Sequence, residues 1–180
     1  MTDSDTDEPQ TGLVAPGDAP GEGLVTVEIG PDLKQFYIHK ALLVRHSEYF
    51  AKALPGPWIE AQENVITLDN VGEDIFELFV HWLYNQKIHN DIMGHIESLS
   101  RCPGFEDLDI ICYARAYGFG DRILASDFQR LMNSELVDHI RNCWEVWFLY
   151  SVSDTIVWAF ENIPSDRPVL QLMVDRFYDF

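Results

Sequence analysis

Phe36-Tyr37-Ile38-His39-Lys40-Ala41-Leu42-Leu43-Val44-Arg45-His46-Ser47-Glu48-Tyr49-Phe50 changes its hydrophobic period in the middle. Phe36-Tyr37-Ile38 is an aromatic and β-branched run suited to a strand. From Lys40 the apolar spacing turns helical, with Leu43, Phe50 and Leu54 on one face and Leu42, Tyr49 and Ala53 beside them. Working outward toward the N-terminus, Val25, Val27 and Ile29 alternate with Thr26 and Glu28, the pattern of a half-buried strand. Gly30-Pro31-Asp32 between the two runs is a turn signal. The stretch therefore predicts a hairpin that feeds straight into one helix.

Pro55-Gly56-Pro57 must stop that helix, because proline lacks an N–H and clashes with the preceding turn. Val65-Ile66-Thr67-Leu68 reads as a short strand. Asn70, followed three residues later by Glu73, has the spacing of a reciprocal helix cap. The helix it predicts carries Ile75, Phe76, Phe79, Val80, Leu83 and Tyr84 on a wide apolar face meant for burial, with Trp82 off that stripe.

This order of elements resembles a BTB/POZ domain. The residues that carry the resemblance are Phe36, His39, Lys40, Ser47, Phe50, Glu60, Ile66, Leu68, Phe76, Phe79, Trp82, Leu83 and Tyr84. It is strong over about a third of the chain and continues more weakly to about residue 140. The resemblance implies an α+β fold of BTB/POZ type: a small three-stranded sheet covered by about five helices, with a C-terminal helical extension. It also implies a non-enzymatic protein–protein interaction module. His39 then holds the strand-to-helix junction through its ring, rather than carrying protons, and Phe50, Phe76, Phe79 and Leu83 are core. Many family members open the first strand with Asp; Leu24 stands there in this chain.

Trp58-Ile59-Glu60 is the one motif with a sharp functional reading. BTB adaptors that engage a cullin scaffold carry an apolar residue, any residue, then Glu in the loop before the third strand. An apolar anchor fills a pocket while the adjacent carboxylate sets orientation. The structural alternative is that the same loop serves local packing alone. The implied roles are thus substrate adaptor of a cullin-RING ubiquitin ligase, or a scaffold recruited to transcription or chromatin complexes, with self-association as a further partner mode.

Bulk properties bound these readings. The 180 residues favour one domain with appendages, and 47% hydrophobic with 13% aromatic content supports a sizeable core. Thirty acidic against twelve basic residues give a formal charge of −18, a field that repels phosphate backbones and anionic membranes and attracts basic partner surfaces. The same charge also simply keeps a protein soluble. Cys102, Cys112 and Cys143 are too few and too irregular for a disulfide framework. Met1-Thr2-Asp3-Ser4-Asp5 lacks the basic start and apolar run of a secretory signal, and no apolar run approaches the roughly 20 residues of a membrane span. The expectation is a protein of cytoplasm or nucleus.

Three segments are predicted. Residues 1–23, with six acidic residues, no basic ones and three prolines, read as a disordered acidic tail; they offer little for strand exchange between protomers. Residues 24–141 form the BTB/POZ domain. Within it, residues 91–107 look like an insertion. Leu108 to Phe119 recur at helical spacing, with Gly118 and Gly120 marking the end, and Ile123, Leu124, Phe128, Leu131, Met132, Leu136 and Ile140 give the next helix. Residues 142–180 are a helical extension, with a helix starting near Ser151-Val152-Ser153-Asp154, a break at Ile163-Pro164 and a last helix opened by Pro168. This tail resembles that of short fungal BTB-only proteins.

Catalytic signals are weak. There is no Gly-x-Ser-x-Gly, no phosphate-cradling glycine loop and no His-Glu-x-x-His. His89, His95 and Cys102 form the nearest metal constellation, but their spacing fits no zinc pattern and a fourth ligand is missing. Cys112 on an apolar helical face reads as a small core hydrophobe. No cofactor or metal is expected.

Overall fold

The computed structural model describes residues 23–54, 64–88, 108–142 and 148–178. Strands β1 (Leu24–Ile29) and β2 (Lys34–His39) form an antiparallel hairpin in register from Leu24 opposite His39 to Ile29 opposite Lys34. Gly30 closes it with φ +67°, a left-handed conformation that a Cβ would penalise. β3 (Val65–Leu68) adds to the other side of β1 in parallel, giving the order β2-β1-β3. Period-two alternation does the rest. Val25, Val27, Ile29, Ile38 and Ile66 are buried on one face. The opposite face is polar: Glu28 accepts hydrogen bonds from Gln35 (3.1 Å) and Thr67 (3.3 Å), and Gln35 accepts one from the Tyr37 hydroxyl at 2.8 Å.

The segment after the hairpin is two helices, not the single one expected: α1 (Lys40–His46) and α2 (Glu48–Ala53). Ser47 is extended between them, at φ −142° and ψ 123°. Its hydroxyl explains the break. The Oγ caps α2 by accepting from the Phe50 N–H at 3.2 Å, and it donates to the Ile123 carbonyl at 2.6 Å. The N–H groups of Glu48 and Tyr49, which a helix start leaves without partners, donate to the Leu124 and Ile123 carbonyls at 3.3 Å each. At the other end, Lys40 Nζ donates to the Leu54 carbonyl at 3.3 Å. A distant turn thus completes α2.

Helix α3 (Glu73–Asn85) buries Ile75, Phe76, Leu78, Phe79, Trp82 and Leu83. Two expectations fail here. Asn70 is not the cap: Gly72 occupies that position with no side-chain cap bond, and the Asn70 carbonyl instead accepts from Arg122 Nη1 at 3.1 Å. Tyr84 is not core but 47% exposed, because the helix ends beside it at Gln86 and its ring turns to His39. Trp82, off the predicted stripe, is covered by Phe128 (ring centroids 5.2 Å apart) and His46 (5.3 Å). Edge-to-face contacts of Phe79 with Phe119 (5.4 Å) and Phe128 (5.2 Å) tie α3 to the helices that follow.

Helices α4 (Leu108–Arg122) and α5 (Ser126–Asn142) form the next pair. Gly118 and Gly120 lie inside α4 rather than ending it, and Ile123 and Leu124 are in the turn rather than in α5. Gly120 serves packing. A Cβ on Gly120 would stand 3.1 Å from Phe128 Cδ1 and 3.2 Å from Gln129 Cα, so the bare backbone lets α5 fold tightly back on α4. Helix α6 (Phe148–Asn162) starts three residues before the expected Ser151, and α7 (Pro168–Tyr178) begins at the proline. Ala159, Ile163, Val169, Leu170 and Met173 join the same buried cluster as the sheet and the earlier helices. Asp121 on α4 fastens the extension by accepting from Arg167 at 2.6 Å, and ties α4 to α5 by accepting from Gln129 at 2.7 Å. Among the described residues no helix is long and apolar enough to cross a membrane.

Candidate interaction surface

The bond pattern around Ser47 builds a corner from α1, α2 and the α4–α5 turn. Ser47 is 2% exposed at its centre. Around it Val44, Arg45, His46, Glu48, Ala51, Leu124, Ser126 and Asp127 line a shallow pocket of about 230 Å³. Two apolar side chains stand on the corner in solvent, Tyr49 (37% exposed) and Leu124 (47%). Leu124 is held there by a left-handed backbone, φ +53°, which costs a non-glycine residue about 1 kcal/mol or more. That conformation is fixed from three sides: Leu124 N–H donates to the Asp121 carbonyl (3.1 Å), Ala125 N–H to the Gly120 carbonyl (2.9 Å), and the Leu124 carbonyl accepts from Glu48.

The charge of the corner is mixed. Glu48 pairs with Lys52 at 3.6 Å and Asp127 with Arg130. Burial, with the nearby Arg45 guanidinium adding to it, pushes the His46 imidazole below its ordinary pKa of 6.5 against the opposing pull of Asp127. His46 is therefore neutral at pH 7, and the corner presents apolar anchors ringed by separate charges.

A second cluster sits where β2 passes into α1. His39 Nδ1 lies 2.8 Å from the Tyr84 hydroxyl, which also accepts from the His39 N–H at 3.3 Å. The latch joins the strand-to-helix junction to the end of α3. Tyr37 and Leu24 are exposed on the same sheet face as His39, since Leu24 opposes His39 in the register.

A third feature is a groove of about 480 Å³ between the β3–α3 loop (Asn70, Val71, Gly72), α4 and α6. Gly118 lies along it, with Trp158 on α6 and Ile163 just after that helix 3.4 and 3.5 Å from where a Cβ would be, ordinary contact distances.

The structure places the other residues singled out from sequence as follows. Phe36, half-buried, meets Phe76 edge-on at 4.9 Å, and Phe50, Phe76, Phe79 and Leu83 are fully inside. Trp58, Ile59 and Glu60 lie outside the described residues, as do His89, His95 and Cys102. Cys112 is buried on α4. Among the described residues, no three His, Cys, Asp or Glu side chains gather as metal ligands. Sequence reasoning missed Tyr49 and Leu124 as surface anchors and missed the groove altogether. Ser126-Asp127, residue types enriched at helix starts, was the signal that could have moved Leu124 out of the helix and into the turn.

Comparison with protein families matches residues 23–102 to the BTB/POZ domain.

Proposed function

From the premise that this chain carries a BTB/POZ domain, a protein–protein interaction module, we propose that it is a substrate adaptor whose α2 corner docks on a cullin scaffold. The observation that carries this reading is the pair of exposed apolar anchors, Tyr49 and Leu124, fixed where α2 begins, one short helix before the chain enters residues 55–63. That segment contains Trp58-Ile59-Glu60, the apolar-x-Glu sequence that the family resemblance associates with cullin contact. Anchors that are already ordered lose little entropy on docking, so the buried area converts more fully into affinity. A division into residues 1–23, 24–141 and 142–180 fits this role, with the last segment left for a client or for self-association. The reading assigns no catalytic step to the chain and places it in cytoplasm or nucleus.

Mass spectrometry of proteins co-purified with the tagged chain tests it, read first for cullin subunits. The wild-type chain should retain a cullin, and Trp58→Ala combined with Glu60→Ala should lose it. Recovery of transcription or chromatin subunits without any cullin would instead favour the scaffold reading.

A further inference from the structure

The groove between the β3–α3 loop, α4 and α6 reverses the sign of the molecule. The chain as a whole has 30 acidic and 12 basic residues. Yet the groove is lined by two arginines, Arg115 and Arg122, and by a single carboxylate, Asp121. That carboxylate is already engaged by Arg167 and Gln129. Of the carboxylates beside the groove, Glu73 is paired with Lys34, and Asp74 accepts from the Ile75 N–H. The groove's own lining is therefore positive, two arginines against one engaged carboxylate, with the Asp74 and Asp166 carboxylates flanking it.

The two guanidinium groups are available. Arg122 spends one N–H on the Asn70 carbonyl and lies over the Phe119 ring at 5.6 Å, which aims it without neutralising it. Arg115 forms no ion pair with a described residue. Seven positions apart on one helix, they stand about 10 Å from each other along the axis, too far for one small anion to bridge. Between them the lining is apolar, with Ile75, Phe119 and the half-buried Trp158. Asn70 and Asn162 also line the groove; the Asn162 amide nitrogen donates to the Trp158 carbonyl at 2.8 Å, and its oxygen can accept from a peptide N–H.

We propose that this groove binds an acidic peptide segment of a partner protein, with two carboxylates two to four residues apart meeting Arg115 and Arg122. In an extended chain that separation spans about 7–13 Å, which matches the arginine spacing. The guanidinium fork favours carboxylates, and Trp158 and Phe119 give the intervening side chains an apolar floor. The repulsion expected from the net charge does not prevent this. Exposed charges more than about 8 Å away are largely screened at physiological salt, so the two arginines govern the local field. The groove adjoins the α2 corner through Arg122, which precedes the Ile123-Leu124 turn and interacts with Tyr49; Arg115, two turns earlier on α4, is the arginine whose substitution tests the groove separately from cullin docking.

Fluorescence anisotropy of a labelled decaglutamate peptide, titrated with the full chain, tests the proposal, with decaglutamine as the neutral control. The expected result is saturable binding of decaglutamate only, weakened by added salt and reduced at least tenfold by Arg115→Glu. Arg122→Gln should weaken it as well; because Arg122 also holds the Asn70 loop, its melting temperature is read alongside, and Arg115→Glu carries the decision. Binding that is absent, equal for decaglutamine, or unchanged in Arg115→Glu would overturn the proposal. So would tighter decaglutamate binding after Asp3, Asp5, Asp7 and Glu8 are changed to their amides, which would assign the groove to the chain's own acidic segment.

Discussion

Removing the Ser47 hydroxyl should cost far more than its size suggests. Ser47→Ala deletes the α2 cap, the acceptor for the Phe50 N–H at 3.2 Å, and that loss alone costs about 1 kcal/mol. It also deletes the 2.6 Å bond donated to the Ile123 carbonyl in a fully buried position, another ~1 kcal/mol. The Ile123 carbonyl keeps the Tyr49 N–H at 3.3 Å, so it is not stranded, and the sum stays near 2 kcal/mol rather than higher. For a chain of this length that corresponds to a fall of roughly 4–8 °C in melting temperature. Urea unfolding followed by tryptophan fluorescence reads the change directly, with the slope expected to stay constant because the exposed surface is unchanged. Ser47→Thr, which keeps a hydroxyl, should recover part of the loss. A Ser47→Ala midpoint within about 0.5 kcal/mol of wild type would refute the reasoning, and with it the claim that a turn 76 residues away completes α2.

Three further outcomes follow from the packing and the charges. Gly120→Ala should destabilise by about 1–3 kcal/mol through overpacking against Phe128 and Gln129, outweighing the ~1 kcal/mol helix-propensity gain; Gly118→Ala, whose Cβ meets only ordinary contacts at 3.4 Å and beyond, should keep that gain and stabilise by up to about 1 kcal/mol, and thermal melts of the pair test the contrast. Tyr84→Phe should cost about 0.5–1.5 kcal/mol by releasing the His39 N–H and ring from the exposed latch, measured by denaturant unfolding. His46 has its folded pKa below the ordinary 6.5, so the unfolded chain binds the extra proton first. Its contribution is present above about pH 6.5 and is lost as pH falls from there toward the folded pKa; unfolding free energies at pH 7.5 and 5.5 should show a smaller drop in His46→Gln than in wild type.

Much of the fold was legible because strong periods carry their own physics. Val25, Val27 and Ile29 alternate so plainly that only one face could be buried, and the turn at Gly30 fixed the hairpin. The apolar run from Ile75 to Leu83 likewise had to face a core. Illegible features share one cause, a partner distant in sequence. Nothing near Ser47 announces that it breaks a helix, since its hydroxyl answers to Ile123. Gly120 looked like a helix end because its purpose, close contact with α5, lies in packing. Asn70 had the spacing of a cap, but Arg122 claims its carbonyl and Gly72 takes the cap position. The corner was half visible: Ser47 was singled out, whereas Tyr49 and Leu124 were assigned to apolar helix faces. The arginine groove was invisible, assembled as it is from residues 70–75, 115–122 and 158–164.

The central claim, that the α2 corner is a docking surface for a cullin scaffold, is tested most directly by calorimetric titration of a purified cullin into the chain. The account predicts saturable one-to-one binding that Tyr49→Ala combined with Leu124→Ala weakens at least thirtyfold, the equivalent of ~2 kcal/mol at the anchors. Substituting Leu124, nearly half exposed, should alter stability by only about 0.5 kcal/mol, whereas Tyr49 is 37% exposed and meets the Phe50 ring edge-on at 5.1 Å, so the melting temperature of the double variant is read alongside. No saturable heat with the wild-type chain, or an affinity unchanged in the double variant, would contradict it.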